Sequence, residues 1–283
     1  MADETALHDF PSLFSLKDKV IVVTGGSRGL GLNAASALHH VPQSQGLRTG
    51  RRPAQQAAEP GPGARAISVP ADSATMAGIE SLLSQVQQHT SHVDVLFANA
   101  GATWGEKFDT HPDSAFAKVM DLNVKAVFNT IRLFAPLLQK RASVEDPSRV
   151  LITASVAGLG IGTLGQQATF GYSASKAAVL HLGRNLAVEL GPRHITVNSI
   201  CPGFFPTKMA NGLLEMSGGV EKHAQGNPMK RLGRPEDIAG IVVYLSSRAG
   251  SHVNGAAIEL DGGAMWARGS LADAAGDEPS AKL

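Results

Sequence analysis

Cysteine is almost absent from this 283-residue chain, where Cys201 stands alone. A single thiol excludes an internal disulfide and a cysteine-built metal cluster. Before Pro202, at the end of an apolar run, it reads as a small buried apolar residue. Aromatic residues are also scarce, at 5% of the chain with only two tyrosines, so a tyrosine in a charged setting stands out. No run of ~18 apolar residues occurs, which argues against a membrane-spanning helix. Neither sign of charge is in excess: 25 Lys and Arg face 24 Asp and Glu, for a formal net charge of +1. With no basic block interleaved with aromatics, nucleic acid is not an expected partner. The ten histidines hold no His-x3-His or His-Glu pattern, so no metal is expected. The N-terminus, Met1-Ala2-Asp3-Glu4-Thr5, is acidic and lacks the apolar core of an export signal. Positions 19–58 contain no Asp or Glu at all.

What is present suits one α/β domain. Hydrophobic residues make up 43% of the chain, enough for a large core. Short apolar runs at 20–23, 64–69, 93–97, 150–153, 195–200 and 257–260 read as strands. Between them, 32–38, 79–88, 116–137, 174–190 and 235–247 read as helices, the last with Pro235 at its start. This alternation predicts a single doubly wound parallel sheet with helices on both faces. Ligands in such sheets bind beyond the carboxyl ends of the strands. The domain is expected to span 16–267, after an N-terminal extension (1–15) and before a flexible, small and polar tail (268–283).

Two motifs carry chemistry. Tyr172 and Lys176 stand four residues apart on an expected helix, so they share a face. A phenol beside an ammonium is expected to ionise more easily, which suits an acid–base catalyst; a surface helix pair is the plain alternative. Near the N-terminus, the β-branched run 20–23 leads into Thr24-Gly25-Gly26-Ser27-Arg28-Gly29-Leu30-Gly31 and then into a helix. Strand, glycine turn and helix N-terminus together form a setting for a pyrophosphate. The same glycines could also serve a purely structural turn.

Together these motifs resemble the short-chain dehydrogenase/reductase family. Further matches follow in order: Asn99-Ala100-Gly101, Asn123, Ser155, the segment Val197-Asn198-Ser199-Ile200-Cys201-Pro202-Gly203, Arg234-Pro235-Glu236-Asp237 and Asp261-Gly262-Gly263. Within the family the text is most similar to β-ketoacyl reductases of the rhamnolipid-pathway type. The resemblance implies a Rossmann-type fold and four catalytic residues. Tyr172 is the acid, Lys176 holds the nicotinamide ribose and tunes Tyr172, Ser155 orients the carbonyl, and Asn123 holds a water. It also implies cofactor contacts at Gly25, Ser27, Arg28, Gly29, Leu30, Gly31, Asn99, Ala100, Gly101, Pro202, Gly203 and Thr207, besides Tyr172 and Lys176. Ser155 stands 17 residues before Tyr172, more than is usual in the family, and the extra residues fall in a loop at the substrate entrance.

One stretch breaks the pattern. Residues 39–52 are polar, with a proline and two glycines, and predict a poor buried parallel strand where the family has its second one. A shifted reading frame or divergence would each produce such a break. The adenosine ribose is read near here. With no acid in 19–58 to take ribose hydroxyls, and with Arg28, Arg48, Arg51 and Arg52 available, NADP(H) is expected over NAD(H). Arg52 is the candidate for the 2′-phosphate. Asp72 is either an adenine contact, as in relatives, or a helix N-cap.

The substrate is expected to be a small-molecule carbonyl, a 3-oxoacyl thioester or polyketide-like ketone, beneath a partly apolar lid at about 204–230. Other readings are a sugar or polyol dehydrogenase and a catalytically silent nucleotide sensor on the same fold. A homotetramer or homodimer is expected from the apolar helix faces at 115–137 and 174–190. The ending Ala281-Lys282-Leu283 resembles a peroxisomal address, which a peroxisomal import receptor would read, so the peroxisome or the cytoplasm is the expected compartment.

Overall fold

The structure, a computed structural model, describes residues 9–40, 45–50, 64–216 and 218–267. The Arg51-Arg52 pair, the Ala281-Lys282-Leu283 ending, the tail and the first eight residues lie outside the described residues.

Seven parallel strands make one sheet: β1 (Val20–Val23), β2 (Gln45–Gly50), β3 (Arg65–Pro70), β4 (Val95–Ala98), β5 (Ser148–Thr153), β6 (Ile195–Pro202) and β7 (Ala257–Leu260). Their spatial order is β3-β2-β1-β4-β5-β6-β7. The chain therefore winds outward from β1 in one direction, then returns past it to build β4 to β7. The crevice between β1 and β4, where the winding reverses, is where such sheets bind ligands.

Side chains alternate across the pleat. Val20 and Val22 face one layer of helices: α2 (Met76–Gln87), α4 (Ala126–Gln139) and α5 (Phe170–Leu190). Ile21 and Val23 face the other: α1 (Gly29–His40) and α6 (Pro235–Ser246). Phe97, Phe134, Ile131, Leu151 and Leu245 are fully buried between these layers. Each such side chain contributes about 1.5–3 kcal/mol relative to exposure.

The expectation of a poor strand over 39–52 is corrected. Gln45 to Gly50 form β2, paired on one side with β1 (Val22↔Leu47) and on the other with β3 (Leu47↔Ile67). Backbone pairing on both edges needs no apolar side chain, and Gly46 and Leu47 supply the buried positions. Tertiary context overrides strand propensity here. The expected single helix over 116–137 is also corrected. It consists of α3 (Asp113–Met120) and α4, joined by one π-helical turn at Asp121–Lys125. Asn123 sits in that turn, buried. Such turns often mark functional positions, because the extra residue re-aims a side chain.

The N-terminal ends of the strands are closed by charges. Arg149 is fully buried on β5; its Nη1 donates to Asp146 Oδ1 (2.7 Å) and its Nη2 to the Ser247 carbonyl (3.0 Å). Lys19 donates to the other Asp146 oxygen. Burial raises the Asp146 carboxyl, but Lys19 and Arg149 together outweigh it and hold the group below its ordinary value. Burial pushes Arg149 down, and Asp146 opposes that. Asp146→Asn should weaken the hold on a buried guanidinium; with Asp146 itself 41% exposed, the cost should be about 1–2 kcal/mol. Urea unfolding checks this, and an unchanged midpoint would dismiss the pair as a stabilising element. Because the folded carboxyl is depressed, its contribution is complete above the unfolded value, about 4, and is lost as pH falls through the folded value.

Candidate active site

β1 ends in Thr24, a buried hydroxyl that organises the glycine turn. Its Oγ1 accepts from the backbone N–H of Asn99 and of Ala100, both at 3.0 Å. The Asn99 amide donates to the Thr24 carbonyl (3.0 Å), and its Oδ1 accepts from Thr153 Oγ1 (3.0 Å). Asn99 thus ties the carboxyl ends of β1, β4 and β5 together, its side chain taken up by protein groups. Gly25 and Gly29 adopt left-handed backbone (φ 65° and 54°). A Cβ at Gly31 would run into the Asn99 amide and the Gly25 carbonyl. The turn therefore closes only with glycine at 31, and it delivers the N-terminus of the 12-residue helix α1, with no acid in its first turn. Those free N–H groups and the positive dipole end fit the pyrophosphate of a dinucleotide.

The flanking residues converge on the same edge. Ser27 and Leu30 are half-buried and Arg28 is exposed. Pro202 ends β6, and Gly203 donates to the Leu260 carbonyl (3.1 Å). The Thr207 methyl lies 3.6 Å from where a Cβ of Gly29 would stand, so the segment after β6 folds back against the glycine turn. Asp72 leaves β3 at this edge, and its Oδ1 accepts from Ala74 N–H (3.0 Å). The N-cap reading of Asp72 is corrected: Thr75 caps α2, its hydroxyl accepting from Gly78 N–H at 3.0 Å.

Ser155 follows β5, and Tyr172 and Lys176 occupy the first turns of α5. Ser155 stands beside the Tyr172 phenol, and its Oγ accepts from Ala157 N–H (3.1 Å). Lys176 Nζ lies 5.5 Å from the Tyr172 ring centroid and donates to the Thr153 carbonyl at 2.6 Å. Asn123 braces this face. Its amide donates to the Ala102 carbonyl and to Ser175 Oγ, and its Oδ1 accepts from Ala102 N–H, all at 2.9 Å. Ser175 in turn donates to the Tyr172 carbonyl (2.7 Å). Gly101 leaves room between them: a Cβ there would stand 3.1 Å from Asn123 Oδ1 and 3.7 Å from Lys176 Nζ.

The electrostatics differ from the sequence expectation. Tyr172 was expected to ionise more easily beside Lys176. Instead, burial pushes its phenol up, and only the neighbouring Ser155 opposes this. Lys176 is buried, and desolvation lowers it to about 8, which weakens the very charge that was to favour a phenolate. Cys201, fully buried beneath them, is pushed up to about 12, first by desolvation and then by Glu259. It is therefore a thiol that packs.

All the expected site residues that the structure describes stand at the carboxyl end of the sheet; Arg52 lies outside the described residues. Three hydroxyls went unassigned in the sequence reading: Thr24, Thr153 and Ser175. Thr24 and Thr153 had one legible signal, a threonine at a strand end.

A parallel sheet with this strand order, a glycine turn after β1, and a Ser–Tyr–Lys group at its carboxyl edge, Tyr172 half-buried between buried Ser155 and Lys176, define a dinucleotide-dependent oxidoreductase. A family model described as enoyl-(acyl carrier protein) reductase matches residues 27–265. The chain is 38% identical over 256 residues to the rhamnolipids biosynthesis 3-oxoacyl-[acyl-carrier-protein] reductase of Pseudomonas aeruginosa, covering 88% of this chain and 97% of that protein. It is 33% identical over 259 residues to sorbose reductase sou1 of Schizosaccharomyces pombe, covering 89% and 98%. Among solved structures, the Pseudomonas aeruginosa RhlG/NADP active-site complex superposes with a TM-score of 0.79 at 35% identity, covering 90% of this chain and 99% of that one. The chain belongs to the short-chain dehydrogenase/reductase family, whose members are NAD(P)-dependent oxidoreductases acting on CH–OH/C=O groups.

Proposed function

We propose that this protein reduces a ketone to a secondary alcohol with NADPH, and that its substrate is a 3-oxoacyl thioester or a polyketide-like carbonyl. The observation that carries the reading is the grouping of Ser155, Tyr172 and Lys176, with Lys176 Nζ 5.5 Å from the phenol ring, beside the glycine turn. The glycine turn and the α1 N-terminus would hold the pyrophosphate, and Lys176 the nicotinamide ribose. When bound, the cofactor supplies a hydride. Ser155 donates a hydrogen bond to the carbonyl oxygen and orients it. Tyr172, kept protonated by its burial, gives its phenolic proton to that oxygen as negative charge develops there. Charged Lys176 then stabilises the phenolate left behind. The Asn123–Ser175–Tyr172 backbone chain holds the first turn of α5 in place, and Asn123 is the residue we assign to hold a water near Lys176.

The segment 204–230 serves as the lid. Thr207 abuts the glycine turn, Phe204 lies against His223 (centroids 4.6 Å apart, planes tilted by 52°), and Phe205 and Leu214 are buried beneath. Asp72 is the proposed adenine contact. Arg28, exposed at the turn, and Arg52 are the proposed partners of a 2′-phosphate, and no acid in 19–58 competes for the ribose. With NADPH and an acetoacetyl thioester, kcat/KM should exceed that with NADH by about 10-fold or more. A preference for NADH would refute the cofactor assignment, and an inert thioester the substrate assignment. The similarity to a sorbose reductase favours a second reading, a polyol or sugar substrate, which turnover of sorbose would establish. A silent nucleotide sensor would not need Ser155, Tyr172, Lys176 and Asn123 together.

Assembly into a homotetramer or homodimer is part of the same proposal. Phe116 on α3, Phe128 on α4 and Val188 on α5 are large apolar side chains left exposed, Val188 at 79%. A second copy that covers these helices would bury them. Sedimentation as a monomer at micromolar concentration would contradict this.

A further inference from the structure

The segment after β7 joins three parts of the site. Asp261 Oδ1 accepts from Gly263 N–H (2.9 Å) and Oδ2 from Met265 N–H (2.8 Å), which winds the chain into the short helix α7 (Ala264–Ala267). The Asp261 carbonyl accepts from the Asn227 amide at 2.7 Å, near the end of the 204–230 segment. Its Cβ closes the open side of Gly203, where an added Cβ would stand only 2.6 Å away. Met265, half-buried, then reaches the loop that leaves Ser155. Its Cγ and Sδ lie 3.8 Å from where a Cβ of Gly160 would stand. Gly160 donates to the Val156 carbonyl (2.9 Å), and Gly158 packs on the backbone of Lys176. Met265 is thus held against a loop that is itself seated on the catalytic helix.

The surroundings choose the ligand. Residues 158–167 carry no charged side chain. Ile161 and Leu164 on this loop are 70% and 62% exposed, and Trp266 beside Met265 is 72% exposed. These apolar side chains offer dispersion contacts, and the loop offers no charged partner for an anion. A thioether with three rotatable bonds adapts to a flexible chain.

Resting on the ketone-reductase reading above, we propose that Met265 is a specificity-determining residue that packs against the apolar chain beyond the reacting carbonyl, and that Asp261 is the positioning residue that sets it. The test compares acetoacetyl and 3-oxodecanoyl N-acetylcysteamine thioesters with NADPH. Met265→Trp should lower kcat/KM for the long substrate about 10-fold or more relative to the short one, the scale on which a filled apolar pocket discriminates. Met265→Leu should keep the wild-type ratio. Asp261→Ala should lose chain-length discrimination while the pH profile of the short substrate stays that of the wild type. Equal changes on both substrates, or none, overturn the proposal. If the wild type reduces neither thioester, the substrate assignment fails, and the same comparison on 2-pentanone and 2-undecanone decides Met265 separately. Absence of a Met265-dependent difference between long and short in both pairs overturns it.

Discussion

Tyr172→Phe loses turnover by about 10³-fold while the cofactor still binds, since a positioned general acid contributes on that scale. The substitution removes only the phenolic oxygen, on the side of the ring near Ser155. The ring stays, and with it the packing near Lys176 Nζ. Cofactor affinity, read by fluorescence titration, should therefore change little, whereas kcat collapses. A variant that kept about a tenth of wild-type kcat would be incompatible with Tyr172 as the acid, because losing an acid costs at least about 10². Ser155 cannot supply the proton at neutral pH, and Lys176 Nζ is held on the Thr153 carbonyl at 2.6 Å, so neither takes over.

Lys176→Met has a broader effect, because the ammonium is proposed to serve both the ribose and the phenolate. Both kcat and cofactor affinity should fall, and together about 10²-fold or more in kcat/KM. The pH profile supplies a second readout. Desolvation lowers Lys176 to about 8, so it is charged below that pH and neutral above it. Reduction should decline as pH rises through about 8, where the charge that stabilises the phenolate disappears. In the Met variant, the residual rate should lack that inflection. An inflection of the same position and size in Lys176→Met would assign the titration to another group and remove this role from Lys176.

Much of this molecule was legible in the chain. The strand at 20–23, the glycine turn and the order Asn99, Asn123, Ser155, Tyr172, Lys176 are local or ordered patterns, and local patterns survive folding. The alternation of short apolar runs with helical stretches was enough to specify a parallel sheet wound on both faces. β2 was not legible, because its place depends on neighbours: only the edges of β1 and β3 make a strand of Gln45-Gly46-Leu47-Arg48-Thr49-Gly50. The π turn at Asn123 was hidden for a similar reason, since 116–137 is helical text throughout.

The ionisation of the site was decided by depth. From sequence, Tyr172 and Lys176 are two groups at helical spacing, and the ammonium should depress the phenol. In the fold, Lys176 is buried and spends its hydrogen bond on the Thr153 carbonyl, while burial raises Tyr172. Desolvation acts on each group separately and outweighs their mutual attraction. Likewise, Asp261 and Met265 carry no motif that links them to Gly203, Asn227 or Gly160, and only packing brings those distant positions together. The sequence by itself determined which residues and which turn can do the chemistry, because residue identity and short spacings are written in the chain. The tertiary structure alone decided how far each is buried and what it touches, because burial and long-range contact belong to the folded whole.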